Sequence, residues 1–262
     1  MQSKPSKLSN PSLRTKVTRG KQSSLQARVW FFILALFSLG QTLGCSGESG
    51  DSSQSSQSSA LAAALQQVGL VEGRHYKVIE KPVLDAHNKF IVHEFFWYGC
   101  PHCEAFEPAL HDWTKSLLGG VTVEQVPAIW ASPMVLHAKV FYLVESLPRE
   151  KRAPLHAALF KKIIEIRKLR DIGTQQRELA ALLAEHGVDG TTFETALEDK
   201  EIQRKVDRAQ ALMKDSGASS TPTLMVNGRY LVMNDTAQQA SDITAIADKI
   251  IRAERIARKA EN

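Results

Sequence analysis

The sequence predicts an α/β fold split by an all-helical insertion, and three observations predict it. Phe90–Tyr98 (FIVHEFFWY) is a run of β-branched and aromatic residues broken only by His93 and Glu94. That density marks a central strand covered on both faces. Residues 133–217 then read as almost unbroken helix. Strand signals return only at Thr223–Val226 and Arg229–Val232, joined by Asn227-Gly228, a strong hairpin turn. Two halves of one sheet, 60–132 and 218–262, are expected to flank the insertion 133–217.

Taken in chain order, residues 1–44 read as a signal or anchor segment. They hold Lys4, Lys7, Arg14, Lys16, Arg19, Lys21 and Arg28 and no acid, followed by the apolar run Val29–Leu39. A basic flank before an eleven-residue apolar core suits export and is short for a membrane span. The chain's net charge of +5, less the leader's +7, leaves a body of −2, which offers no footprint for nucleic-acid phosphates. Thr42-Leu43-Gly44-Cys45 resembles the lipobox of bacterial lipoproteins, with Cys45 as the lipidated residue. An ordinary signal peptidase could also cut here, leaving a soluble periplasmic protein, or the segment could stay uncleaved as an anchor. Residues 45–59 are expected to be a serine-rich linker with a reach of roughly 20 Å, because they have too little apolar surface to offset ordering.

The body follows. Tyr76–Glu80 is a short strand and Phe90–Tyr98 the longer one. Gly99 ends the latter, and a helix begins with Cys100-Pro101-His102-Cys103. Cys103, Phe106, Leu110, Trp113 and Leu117 share one face of it, Pro101 suits its first turn, Pro108 should bend it, and Gly119-Gly120 stop it. Val121–Trp130 is the next strand. Within the insertion, helices are expected at Val135–Leu147, Pro154–Lys168, Gln175–His186 and Glu201–Lys214, with breaks at Pro148, Gly173, Gly187 and Gly190. A last amphipathic helix uses Ile243, Ile246 and Ile250.

The cysteine pair carries the chemistry. At a helix start the sulfur of Cys100 faces unpaired N–H groups and the positive end of the helix dipole, which favour the thiolate. His102 would stabilise that anion further. Cys103, one turn in on the apolar face, should be the shielded resolving thiol. Haem attachment needs a histidine where Glu104 stands, and zinc would need two more ligands, so neither a metal nor another cofactor is expected. An inert structural disulfide is the remaining alternative for the pair. His93, His111 and His137 read as ordinary structural or surface residues.

Phe96-Trp97-Tyr98-Gly99-Cys100-Pro101-His102-Cys103 resembles the active-site segment of the DsbA family of bacterial thiol:disulfide oxidoreductases, over roughly residues 70–258. The resemblance implies a thioredoxin-like fold with an inserted all-helical domain. It also implies a periplasmic, monomeric enzyme that donates its Cys100–Cys103 disulfide to newly exported unfolded proteins with free thiols, and is reoxidised by a DsbB-like membrane oxidase. Thr221-Pro222 resembles the family's cis-proline loop, with Thr221 and Pro222 contacting substrate. Glu94 matches the family's buried acid, which would exchange protons with Cys103; the basic partner expected on the next strand is here Gln125. The alternatives are an isomerase or reductase of the DsbC/DsbG type, or a non-catalytic thioredoxin-like lipoprotein that binds a partner.

Overall fold

The computed structural model describes residues 51–83, 89–235 and 237–260, with the backbone alone for 51–58 and 260. The signal segment, Cys45 and the first part of the serine-rich stretch lie outside the described residues. The elements in order are α1 (Asp51–Gln67), β1 (Tyr76–Val78), β2 (Phe90–Phe96), α2 (Pro101–Ser116) and β3 (Val121–Pro127). Next come α3 (Ser132–Ser146), α4 (Arg149–Ile166), α5 (Ile172–Glu185), α6 (Gly190–Glu198) and α7 (Lys200–Ser216). The chain ends with β4 (Thr223–Val226), β5 (Tyr230–Val232) and α8 (Ala240–Ala260).

The strands form one mixed sheet in the order β1-β5-β4-β2-β3. β2 is central, parallel to β3 with Glu94 opposite Gln125, and antiparallel to β4 with Glu94 opposite Leu224. Its apolar side chains are almost all buried, as its composition requires. On one side Val92, Leu224, Val226 and Tyr230 pack with Ile246 and Ile250 of α8 and with Ala64 and Leu65 of α1. Toward the insertion, Phe95, Phe96 and Tyr98 join Phe141, Leu159 and Phe160. The rings of Phe96, Tyr98, Phe141 and Phe160 meet at centroid distances of 4.9–6.3 Å, the spacing of edge-to-face aromatic packing. The insertion is thus fixed to the sheet by an aromatic seam that ends beside the cysteine pair.

Three local expectations need correction. The serine tract is helical from Asp51 onward, where a linker was expected. Leu61, Ala64 and Leu65 anchor the end of that helix on the core. Extending an existing helix upstream through serine costs only a few tenths of a kcal/mol per residue relative to alanine. Gly190, expected to break helix, instead opens α6, because the Asp189 carboxylate accepts the Thr192 N–H and caps the first turn. Pro154 lies in the second turn of α4 and does not start it.

Candidate active site

The site is built where β2 hands over to α2. After Phe96 the chain turns through Trp97–Cys100, closed by the Cys100 N–H on the Trp97 carbonyl at 2.9 Å. The Trp97 indole folds back over Gly99: a Cβ there would sit 2.3 Å from the ring, so only glycine fits beneath it. Trp97 Nε1 donates to His137 Nδ1 at 3.0 Å, and His137 Nε2 pairs with Gln175 Oε1 at 3.0 Å, which locks the turn to the insertion. Burial keeps His137 neutral, with a pKa pushed down to about 4 against the opposing hydrogen bond to Gln175.

Cys100 is the N-cap of α2 and Pro101 its first residue, a position where the missing proline N–H costs nothing. Cys100 is 8% exposed and Cys103 fully buried, and both are free thiols. The thiol of Cys103 donates to the Cys100 sulfur, and burial opposes the resulting charge. The Thr221 hydroxyl and the backbone N–H groups of Cys103 and His102 then help bring Cys100 down to about 5. For Cys103 the same pair works in reverse: burial, donation to Cys100 and the negative Cys100 sulfur all hold its proton far above the ordinary thiol range. One sulfur is therefore an anion at neutral pH and its neighbour a firmly protonated thiol.

Thr221 flanks the pair, its carbonyl oxygen 3.5 Å from Cys100 Sγ, and the Thr221-Pro222 bond is cis, as the resemblance implies. Asn234 Nδ2 donates to the Pro222 carbonyl at 2.9 Å and steadies the loop. The His102 side chain is exposed, and its backbone N–H is among the groups that lower the Cys100 thiol. His102, Phe106, Thr221, Pro222 and Ile243 line a groove of about 290 Å³ beside Cys100.

Glu94 is fully buried. Burial, then the charge of Glu107, raise its carboxyl to about 8, against the opposing hydrogen bond from Gln125. Gln125 Nε2 donates to Glu94 Oε2 and to Glu107 Oε1, each at 2.8 Å, so the register expected for Gln125 is the one observed. His156 Nε2 lies 3.3 Å from Glu107 Oε2, and its Nδ1 is 2.7 Å from the Tyr98 hydroxyl. Glu107, His156 and Tyr98 were not singled out from the sequence. Glu107 had a signal, since it follows Cys103 by four residues and shares its helix face. His156 had none, because only the tertiary fold brings α4 to α2. Among the described residues no cluster of His, Cys, Asp or Glu is placed to hold a metal ion.

Comparison with known proteins points the same way. A family model described as Thioredoxin matches residues 85–249. The thiol:disulfide interchange protein DsbA of Pseudomonas aeruginosa is 32% identical over 197 residues, covering 75% of this chain and 91% of that protein. The DsbA of Pseudomonas syringae pv. tomato is 31% identical over 173 residues, 66% and 78% of the two chains. Among solved structures, the crystal structure of Pseudomonas aeruginosa DsbA superposes with a TM-score of 0.64 at 29% identity, covering 73% of this chain and 97% of that one. The oxidoreductase NmDsbA1 from Neisseria meningitidis gives 0.61 at 26% identity, with 74% and 97% covered.

Proposed function

The chain belongs to the DsbA family of thioredoxin-like thiol:disulfide interchange proteins, and from that premise we propose the reaction its cysteine pair performs. It is a thiol:disulfide oxidoreductase of the periplasm that oxidises pairs of thiols in newly exported proteins. In the oxidised enzyme a substrate thiolate attacks the Cys100 sulfur. The Cys100–Cys103 bond breaks, the electron pair leaves on Cys103, and Cys103 takes up a proton, for which Glu94 is the nearby donor. A second substrate thiolate attacks the substrate sulfur of the mixed disulfide, and Cys100 departs as a stable thiolate. The substrate has lost two electrons and two protons, and the enzyme has gained the electrons.

The observation that carries this reading is the contrast between the two sulfurs, Cys100 near 5 and Cys103 far above the ordinary range. A low-pKa thiol is the better leaving group, so the mixed disulfide is resolved at Cys100. Thr221 and Pro222 serve as the substrate contact, with an extended segment pairing along the Thr221 backbone and its side chains in the groove beside His102. Reoxidation falls to a DsbB-like membrane protein, which supplies the oxidant; the folded body acts as a monomer.

Equilibrating the purified protein with a glutathione redox series tests the reading. A strongly oxidising couple supports it. A couple as reducing as a thioredoxin moves the assignment to a reductase or isomerase, and full activity in Cys100→Ser would leave only partner binding. The leader and Cys45 further support membrane attachment through a lipid on Cys45. Palmitate labelling of wild type but not of Cys45→Ala is expected; equal labelling refutes it.

A further inference from the structure

We propose that His156, contributed by the helical insertion, is a positioning residue for the proton chemistry of the cysteine pair. It sets the charge facing Glu107 and, through the Gln125 amide that Glu107 and Glu94 share, the ease with which Glu94 gives up its proton. This rests on the oxidoreductase reading above and adds a residue which that reading does not require.

The geometry is a chain of four side chains from four elements. Gln125 Nε2 has two N–H bonds and spends one on Glu94 and the other on Glu107. Two carboxylates are thereby held within two hydrogen-bond lengths of each other around a neutral amide, and like charges so close do not ionise independently. Glu94 is reached by Gln125 from β3, by Glu107 and Cys103 from α2 and by Cys100 at its N-cap, with Leu224 opposite on β4. Its second oxygen, Oε1, is buried without a hydrogen-bond partner.

The basic group that reaches the outer carboxylate is His156, with Nε2 at 3.3 Å from Glu107 Oε2. That nitrogen is not aligned for a hydrogen bond, so the contact is one of charge and strengthens when the ring is protonated. Nδ1 faces the Tyr98 hydroxyl at 2.7 Å, a group that can donate to a neutral ring or accept from a cationic one. The ring can therefore gain and lose a proton without giving up that partner, while Glu145 faces the same tyrosine from α3. His156 is 17% and Glu107 27% exposed, whereas Glu94 is sealed. A cationic His156 offsets Glu107 and lets Glu94 ionise. A neutral ring leaves Glu107 uncompensated, and Glu94 keeps its proton.

The test is the pH profile for reaction of the reduced protein with oxidised glutathione, compared between wild type and His156→Gln. The rise of rate with pH should move upward by about half a pH unit in the variant, a modest shift for a charge acting at second hand. In a Glu107→Gln background the same substitution should move nothing. Superimposable profiles, or a shift that survives Glu107→Gln, overturn the proposal. Should His156→Gln not fold, His156→Phe, which keeps a ring in the aromatic seam and removes its charge, takes its place with the same two outcomes. A glutathione equilibrium at pH 7 is run alongside: an oxidising couple with an unmoved profile refutes this inference alone, and a reducing couple refutes the oxidase reading instead.

Discussion

Lowering the pH of the reduced protein from 7 to 4 should remove the stabilisation that its Cys100 thiolate provides. The folded state holds this thiol at about 5, against an ordinary value of 9.0. A depressed pKa stabilises the fold fully above the unfolded value and loses that contribution as pH falls through the folded one. At pH 7 about two of the four units are realised, and at about 1.4 kcal/mol each this is roughly 3 kcal/mol. By pH 4 almost nothing remains. The disulfide form has no thiol to ionise, so the difference favours reduction and makes the couple about 60 mV more oxidising than one with an ordinary thiol. Urea unfolding of reduced wild type and reduced Cys100→Ser between pH 4 and 8 measures it. The gap between the two should shrink by about 3 kcal/mol from pH 7 to pH 4. A gap that does not change with pH would mean that Cys100 is an ordinary thiol, and the argument for an oxidising site would fail with it.

Glu94→Gln should stabilise the protein at neutral pH. A carboxyl raised to about 8 contributes stability only while protonated and loses it as pH climbs from the unfolded value of 4.5. The variant should therefore gain about 2–3 kcal/mol at pH 7 and almost nothing at pH 4, and equal stability at both would refute the burial argument. Phe160→Ala removes a ring that is 1% exposed and packed edge-on against Tyr98 and His156, so chemical denaturation should show a loss of about 3–5 kcal/mol. A loss under about 1 kcal/mol would mean that the seam relaxes to fill the space. Asn227 holds a positive φ of 52°, accepts the Ile91 N–H at 2.9 Å and donates to Glu254. Asn227→Ala should cost about 2 kcal/mol, and Asn227→Gly should restore only the backbone part.

What could be read from the sequence was what local chemistry dictates. A strand of aromatics, a glycine, then proline between two cysteines fixes a helix start, and the structure puts Cys100 at that N-cap. Counting down two neighbouring parallel strands was enough to set Glu94 against Gln125. Charge and capping contributions across a turn were harder: Asp189 turns Gly190 from a stop into a first residue, a decision worth about 1 kcal/mol that composition does not reveal. The partners of the site that come from afar were invisible. Tyr98 and His156 are 58 residues apart, and Trp97 and His137 are 40 apart; nothing in either neighbourhood announces the other.

The placement of β4 between β2 and β5 has a consequence for a chain that emerges N-terminus first. The bond between Ile91 and Asn227 spans 136 residues, so β2 must wait for the whole insertion before its second edge is covered. Until then, α2 rests on a two-stranded fragment and its thiols stand without Thr221 beside them. A protein suited to bridging the sulfurs of others therefore presents its own pair naked during its birth. Long-range closure of this kind is slow, and an open strand edge invites neighbours. For that interval the newborn chain carries two uncovered thiols of the kind its finished form acts on.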